Sequence, residues 1–186
     1  MKYVVLALIG FFCSASYAQT INREWNGELE GEIQQFKNCD NTSKIGLNSC
    51  HAFIGKTLKT VYRVNDFYSK DKNRYMVVSE IYSYLENSKQ WTLLGKGYEQ
   101  EALEKAQKLA NQNKAVVAVY LTDAGIGHLA YILPGQLQPS GSWGFKVPNS
   151  AAYFSSEPEK SYMNKGLSYS FPRSVITKVQ LYARNY

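Results

Sequence analysis

Cysteine and histidine are scarce in this chain of 186 residues, with three of the first and two of the second, so nucleophilic and metal chemistry has few places to reside. No segment reaches eighteen consecutive apolar residues, and this excludes a membrane-spanning helix. Charged side chains make up only 19% and the composition is neither repetitive nor dominated by proline and glycine, which excludes wholesale disorder and collagen-like structure. C-x-x-C and H-E-x-x-H spacings are missing, so a zinc site drawn from Cys39, Cys50, His51 and His128 has no support. Ser140-Gly141-Ser142-Trp143-Gly144 lacks the G-x-S-x-G elbow of serine hydrolases. Without Walker or Rossmann glycine patterns, no nucleotide cofactor is expected either. Two-carboxylate glycan hydrolysis has no positive sign among the 15 acidic residues.

What is present suits one folded domain. Hydrophobic residues reach 45%, and 15 tyrosines with 8 phenylalanines supply a core. The start reads as a cleaved secretory signal over residues 1–18: Lys2 is a positive start, Val4 to Phe12 a short apolar run, and Ser16-Tyr17-Ala18 a cleavage site. Phe12 before Cys13 argues against a lipoprotein box. The remaining domain, residues 19–186, loses Lys2 and with it one of 21 basic residues, leaving 20 against 15 acids, a charge of +5. Its lysines are scattered rather than clustered, as on an ordinary solvated surface, so nucleic acid is not an expected partner. The expected location is secreted or periplasmic, without membrane embedding.

Cys39 and Cys50 are the cysteines left in that domain, with ten residues between them. In an oxidising compartment a disulfide is the default for such a pair. A different role is suggested by the surroundings of Cys50. Asn48 or Ser49 can cap a helix in which Phe53, Ile54, Leu58 and Val61 recur at helical spacing, and Cys50 begins that buried stripe. A cysteine in a first helical turn meets the positive end of the macrodipole, which favours the thiolate. Its base is expected to be His128 rather than the adjacent His51, which is turned about 100° away on the helix. His128 opens a strand after the Gly-containing turn Thr122 to Gly127, at a sheet rim where catalytic groups are common. The bland alternative is a histidine that bonds a turn carbonyl.

Amphipathic helices are predicted over 22–37, from Cys50 to about Arg63, over 76–85 and over 98–113, with a polar connector at 65–73 and a break at 91–95. Strands are predicted at 115–121, 128–133, 143–147 and 174–183. Helices first and an antiparallel sheet after make an α+β plan.

The stretches Asn48-Ser49-Cys50-His51-Ala52-Phe53, Ala115 to Tyr120, and Gly127-His128-Leu129-Ala130-Tyr131-Ile132-Leu133-Pro134-Gly135 together resemble the papain-like peptidoglycan amidases and endopeptidases of the NlpC and CHAP type. The likeness spans about residues 45–183, with Ser49-Cys50-His51-Ala52 where that family commonly has Asp-Cys-Ser-Gly. It implies a papain-like fold and a metal-free cysteine amidase or peptidase with Cys50 as nucleophile and His128 as base. A polar residue on the next strand, Asn149 with Ser150 or Ser142 as alternatives, would orient the imidazole. The thiolate would attack an amide of peptidoglycan, either in the stem peptide or between MurNAc and L-Ala, and form a thioester that water then hydrolyses. A proteinaceous inhibitor is a further partner this reading admits. The competing expectation is a non-catalytic secreted envelope-binding module or inhibitor, with a Cys39–Cys50 disulfide and tyrosines lining a recognition surface.

Overall fold

The computed structural model describes residues 21–39 and 50–186, so the expected signal segment and the cap residues Asn48 and Ser49 lie outside the described residues. In chain order the elements are α1 (Trp25–Lys37), α2 (His51–Tyr62), β1 (Tyr68–Ser69), β2 (Arg74–Tyr75), α3 (Val78–Asn87), β3 (Trp91–Lys96), α4 (Gln100–Asn111), β4 (Val116–Leu121), β5 (Gly127–Ile132), β6 (Gln138–Ser140), β7 (Phe145–Val147), β8 (Asn149–Ala152), β9 (Tyr162–Gly166) and β10 (Gln180–Arg184). Six strands form one antiparallel sheet in the order β3-β10-β4-β5-β8-β9, and β1-β2 and β6-β7 are separate hairpins. The architecture is α+β.

Alternation along the strands divides the core in two. Val117, Val119, Leu129 and Tyr131 pack with Leu29, Ile33, Leu58, Val61, Ile81 and Leu85 of α1, α2 and α3. Val116, Ala118, Ala130 and Ile132 point the other way, onto Ala102, Leu103, Ala106 and Ala110 of α4 and onto Trp143 and Phe171. Helices therefore cover both faces, and α4 does not share a layer with the other three. This explains why β4 reads as an unbroken apolar run although its neighbours β10 and β5 are antiparallel. The small side chains of α4 let its backbone approach the sheet closely.

Polar atoms tie the layers at defined points. The hydroxyl of Tyr131 donates to the Ile54 carbonyl and that of Tyr62 to the Ile132 carbonyl. Thr57 and Tyr153 share a hydrogen bond of 2.8 Å. At the far side, Asp66 Oδ2 accepts from Trp91 Nε1 at 3.0 Å and from Arg184 Nε at 2.7 Å, and Oδ1 accepts from Arg184 Nη2 at 3.2 Å. One carboxylate thus holds the outer strand β3 and the end of β10 against the segment after α2.

The predicted helices are all present. The expected break at 91–95 is instead the edge strand β3, which pairs with β10. Only residues 180–184 of the expected strand 174–183 are extended in the sheet, and Arg173–Val175 before them is a 3-10 turn. Strand β8, Asn-Ser-Ala-Ala, carries no β-branched residue, yet it is buried at all four positions.

Candidate functional site

Cys50 occupies the cap position before α2, is 1% exposed, and is disulfide-bonded to Cys39, which follows the C-terminal end of α1; their Cα atoms are 5.9 Å apart. The place where a helix N-terminus was expected to hold a thiolate holds a cystine sulfur, which is neither nucleophilic nor titratable. The bond staples the exit of α1 to the entrance of α2.

His128 is engaged elsewhere. Cys50 belongs to the cluster containing Leu129 and Tyr131, whereas His128 alternates with Leu129 and its ring packs 4.6 Å from that of Phe154 and 5.3 Å from that of Phe171. The expected dyad is therefore not assembled. The sulfur is bonded to Cys39 and the imidazole packs with rings of the other core cluster, because residues of one strand that differ by an odd number face opposite sides. His128 is partly exposed as a residue, but its Nε2 is buried and has no hydrogen-bond partner among the described residues. Burial among these rings holds its pKa at about 4, below the ordinary 6.5, so at neutral pH the ring is an uncharged part of an aromatic stack.

Asn149 is likewise engaged elsewhere. The β5–β8 register places Ala152 opposite Ala130 and Ser150 opposite Ile132, and the Asn149 carbonyl accepts from Leu133 N–H. Asn149 thus sits five positions along the strand from His128, roughly 16 Å. Its Nδ2 donates to the Pro134 carbonyl at 3.0 Å and to Asn164 Oδ1 at 3.1 Å, which ties the loop after β5 to β9. The alternatives do no better. Ser150 Oγ is hydrogen-bonded to Tyr162 at 2.9 Å and to the Lys165 carbonyl at 2.9 Å, and Ser142 Oγ to Ser140 Oγ at 3.2 Å. The group that does contact the imidazole from the β8 side is the apolar ring of Phe154.

Gly127, which with His128 carried much of the likeness to the amidases, has a packing reason of its own. A Cβ there would stand 2.8 Å from Val78 Cγ1 and 2.9 Å from the Tyr120 carbonyl oxygen, so only glycine lets α3 close over the start of β5.

His51 and His128 line one cavity of about 450 Å³ together with Ile54, Val78, Tyr153 and the exposed Ile126; Cys50 is not part of its wall. No three His, Cys, Asp or Glu side chains converge as a metal site among the described residues.

A larger groove, about 650 Å³, opens beside β9, with Phe154 and Tyr162 in its wall, Tyr169 and Lys165 above, and Lys37 and Ser161 among its other lining groups. A smaller hollow of about 200 Å³ against α1 shares Lys37, Ser161, Tyr162 and Lys165, so the two form one continuous surface feature. The Tyr162 and Tyr169 ring centroids are 5.9 Å apart with planes at 58°, and the Lys165 ammonium stands 5.8 Å and 5.1 Å from them. Tyr162 is anchored from beneath, its hydroxyl bonded to Ser170 Oγ at 2.6 Å. Tyr169 is 64% exposed. These residues were not singled out from the sequence, since Tyr162-Met163-Asn164-Lys165 and Ser168-Tyr169 show no periodicity and meet only because β9 is an edge strand followed by a short turn. The tyrosine richness of the chain was the available signal.

Among known proteins, no family model matches the chain. It is 33% identical over 73 residues to an uncharacterized protein, YfdF, of Escherichia coli K12, covering 39% of this chain and 19% of that protein. It is 40% identical over 53 residues to Invasion chromosome antigen T of Shigella flexneri serotype 5a, covering 28% of this chain and 15% of that one. The chain thus spans less than a fifth of the length of these curated relatives. No helix among the described residues is long and apolar enough to cross a membrane. The disulfide is compatible with an extracytoplasmic protein.

Proposed function

We propose that this protein is a non-catalytic secreted or periplasmic module that binds the bacterial envelope, with peptidoglycan as its partner, and that its cystine is structural. The observation that carries this reading is the Cys39–Cys50 disulfide: it takes up the thiol that an amidase of this design would need, and the His128 ring packs against Phe154 and Phe171. The basic balance of the chain favours an acidic polymer as partner. The tyrosine-lined groove beside β9 is the surface best suited to recognition. The α+β architecture is compatible with the papain-like resemblance, but nothing in the proposed activity draws on the chemistry of that family.

The reading is tested by incubating the oxidised protein with purified sacculi. The expected result is co-sedimentation with no soluble fragments released, and no thiol reactive to a disulfide titrant before denaturation and reduction. Release of muropeptides that disappears with Cys50→Ala would overturn it and restore the amidase.

A further inference from the structure

We infer that the groove beside β9 is a binding site for an acidic saccharide, with a sugar ring lying on Tyr169 and a carboxylate received between Lys37 and Lys165; this deepens the envelope-binding reading and rests on it. The ring of Tyr169, 64% exposed, offers the face that Lys165 does not cover as a flat, weakly polar platform to the C–H face of a pyranose. Tyr162 lies 5.9 Å from it and is fixed by Ser150 and Ser170, so the wall behind the Tyr169 ring does not need to be organised on binding. Ser161 Oγ accepts the Phe154 N–H at 3.0 Å, which leaves its own hydroxyl proton to donate to a ligand oxygen.

Charge selects an acidic sugar over a neutral one. Lys37 and Lys165 line both parts of the groove, and among the described residues neither takes part in an ion pair. The carboxylates nearby are distributed differently. Glu157 is bound by Lys160, Glu159 lines only the larger part, and Glu30 only the smaller. The shared centre is therefore cationic. The Lys165 ammonium is already held over two tyrosine faces, within 5.8 Å of both centroids, so little side-chain entropy is lost when it meets an anion. A single-stranded nucleic acid also stacks on tyrosine, but it needs a track of cations along its backbone, and of the three lysines in this groove Lys160 is paired with Glu157, which leaves two.

The test uses trigalacturonate and its methyl ester, which keeps the rings and removes the charge, titrated calorimetrically into the whole oxidised protein. Trigalacturonate is expected to bind at least tenfold more tightly than the ester. Tyr169→Ala and Lys165→Met are each expected to weaken it about tenfold with unchanged thermal midpoints, and Tyr169→Phe to stay within about twofold of the wild type. Equal affinity for acid and ester, insensitivity to both substitutions, or tighter binding of a thymidine dodecamer would overturn the assignment. Sedimentation with sacculi separates the two readings. If wild type and variants sediment equally, the groove assignment fails and envelope binding stands. If trigalacturonate binds at the groove but sacculi do not, the acidic-saccharide site stands and peptidoglycan as partner fails.

Discussion

The imidazole of His128 and the ring of Phe154 pack at 4.6 Å with their planes only 33° apart, so a hydrocarbon ring covers one face of the histidine. Phe154 follows β8 at the position that continues its pairing with β5 past Ala152 and Ala130. The histidine at the sheet rim is thus part of an aromatic stack, and its expected signature is thermodynamic.

Acid should unfold the protein through this residue. Burial lowers its pKa from 6.5 to about 4 in the folded state, so between those values the unfolded chain takes up the proton and the folded chain does not. The contribution is complete above about pH 6.5 and is lost as pH falls through 4, about 3 kcal/mol in all. Urea midpoints at pH 7.5 and 4.5 measure it, and His128→Leu is expected to flatten the difference. An unchanged pH dependence in that variant would assign the acid sensitivity to other groups.

The cystine should matter for stability and not for ligand recognition. Its loop is short, with 11 positions from Cys39 to Cys50, and closing it in the unfolded chain is worth about 3 kcal/mol in the chain-entropy view. Cys39→Ser with Cys50→Ser is expected to lower the urea midpoint accordingly while leaving sacculus binding within twofold at low temperature. Loss of binding in a variant that remains folded by circular dichroism would give the cystine a direct role in recognition.

Asp66 should be worth more than a surface acid. It accepts from Trp91 Nε1 and from two nitrogens of Arg184, with side-chain exposures of 11% for the acid and 18% for the arginine. Asp66→Ala leaves both donors without their acceptor and is expected to cost about 2 kcal/mol. Hydrogen exchange in β3 and β10 locates the effect: faster exchange confined to these strands is expected, and uniform exchange rates would count against the clamp.

Gly127→Ala is expected to destabilise by about 1–3 kcal/mol, because the added methyl meets Val78, Leu121 and a backbone oxygen within 2.9 Å. Gly141→Ala, where no atom lies within 4 Å, is the matched control and should change little. Thermal melts of the pair decide it. If both are silent, the start of β5 is looser than described.

Local pattern was enough for much of the secondary structure. The 3.6-residue stripes of α1, α2, α3 and α4 and the apolar runs of β4 and β5 are properties of short segments, and each emerged close to its predicted bounds. Strand β3 was hidden because its partner is β10, some ninety residues away, and β8 because hydrogen bonds of Asn149 and Ser150 take the place of β-branched side chains.

The linear order of residues established an α+β chain rich in tyrosine, with a cysteine just ahead of a helix and a histidine opening a strand. Which face of the sheet each of these two would occupy depended on strand register and on the helices assigned to each side. Neither is encoded in any single stretch, because both follow from pairing partners far apart in the chain. Folding put Cys50 beside Cys39 and His128 among phenylalanine rings, and it gathered Tyr162, Lys165, Tyr169 and Lys37 into a groove that no spacing announces.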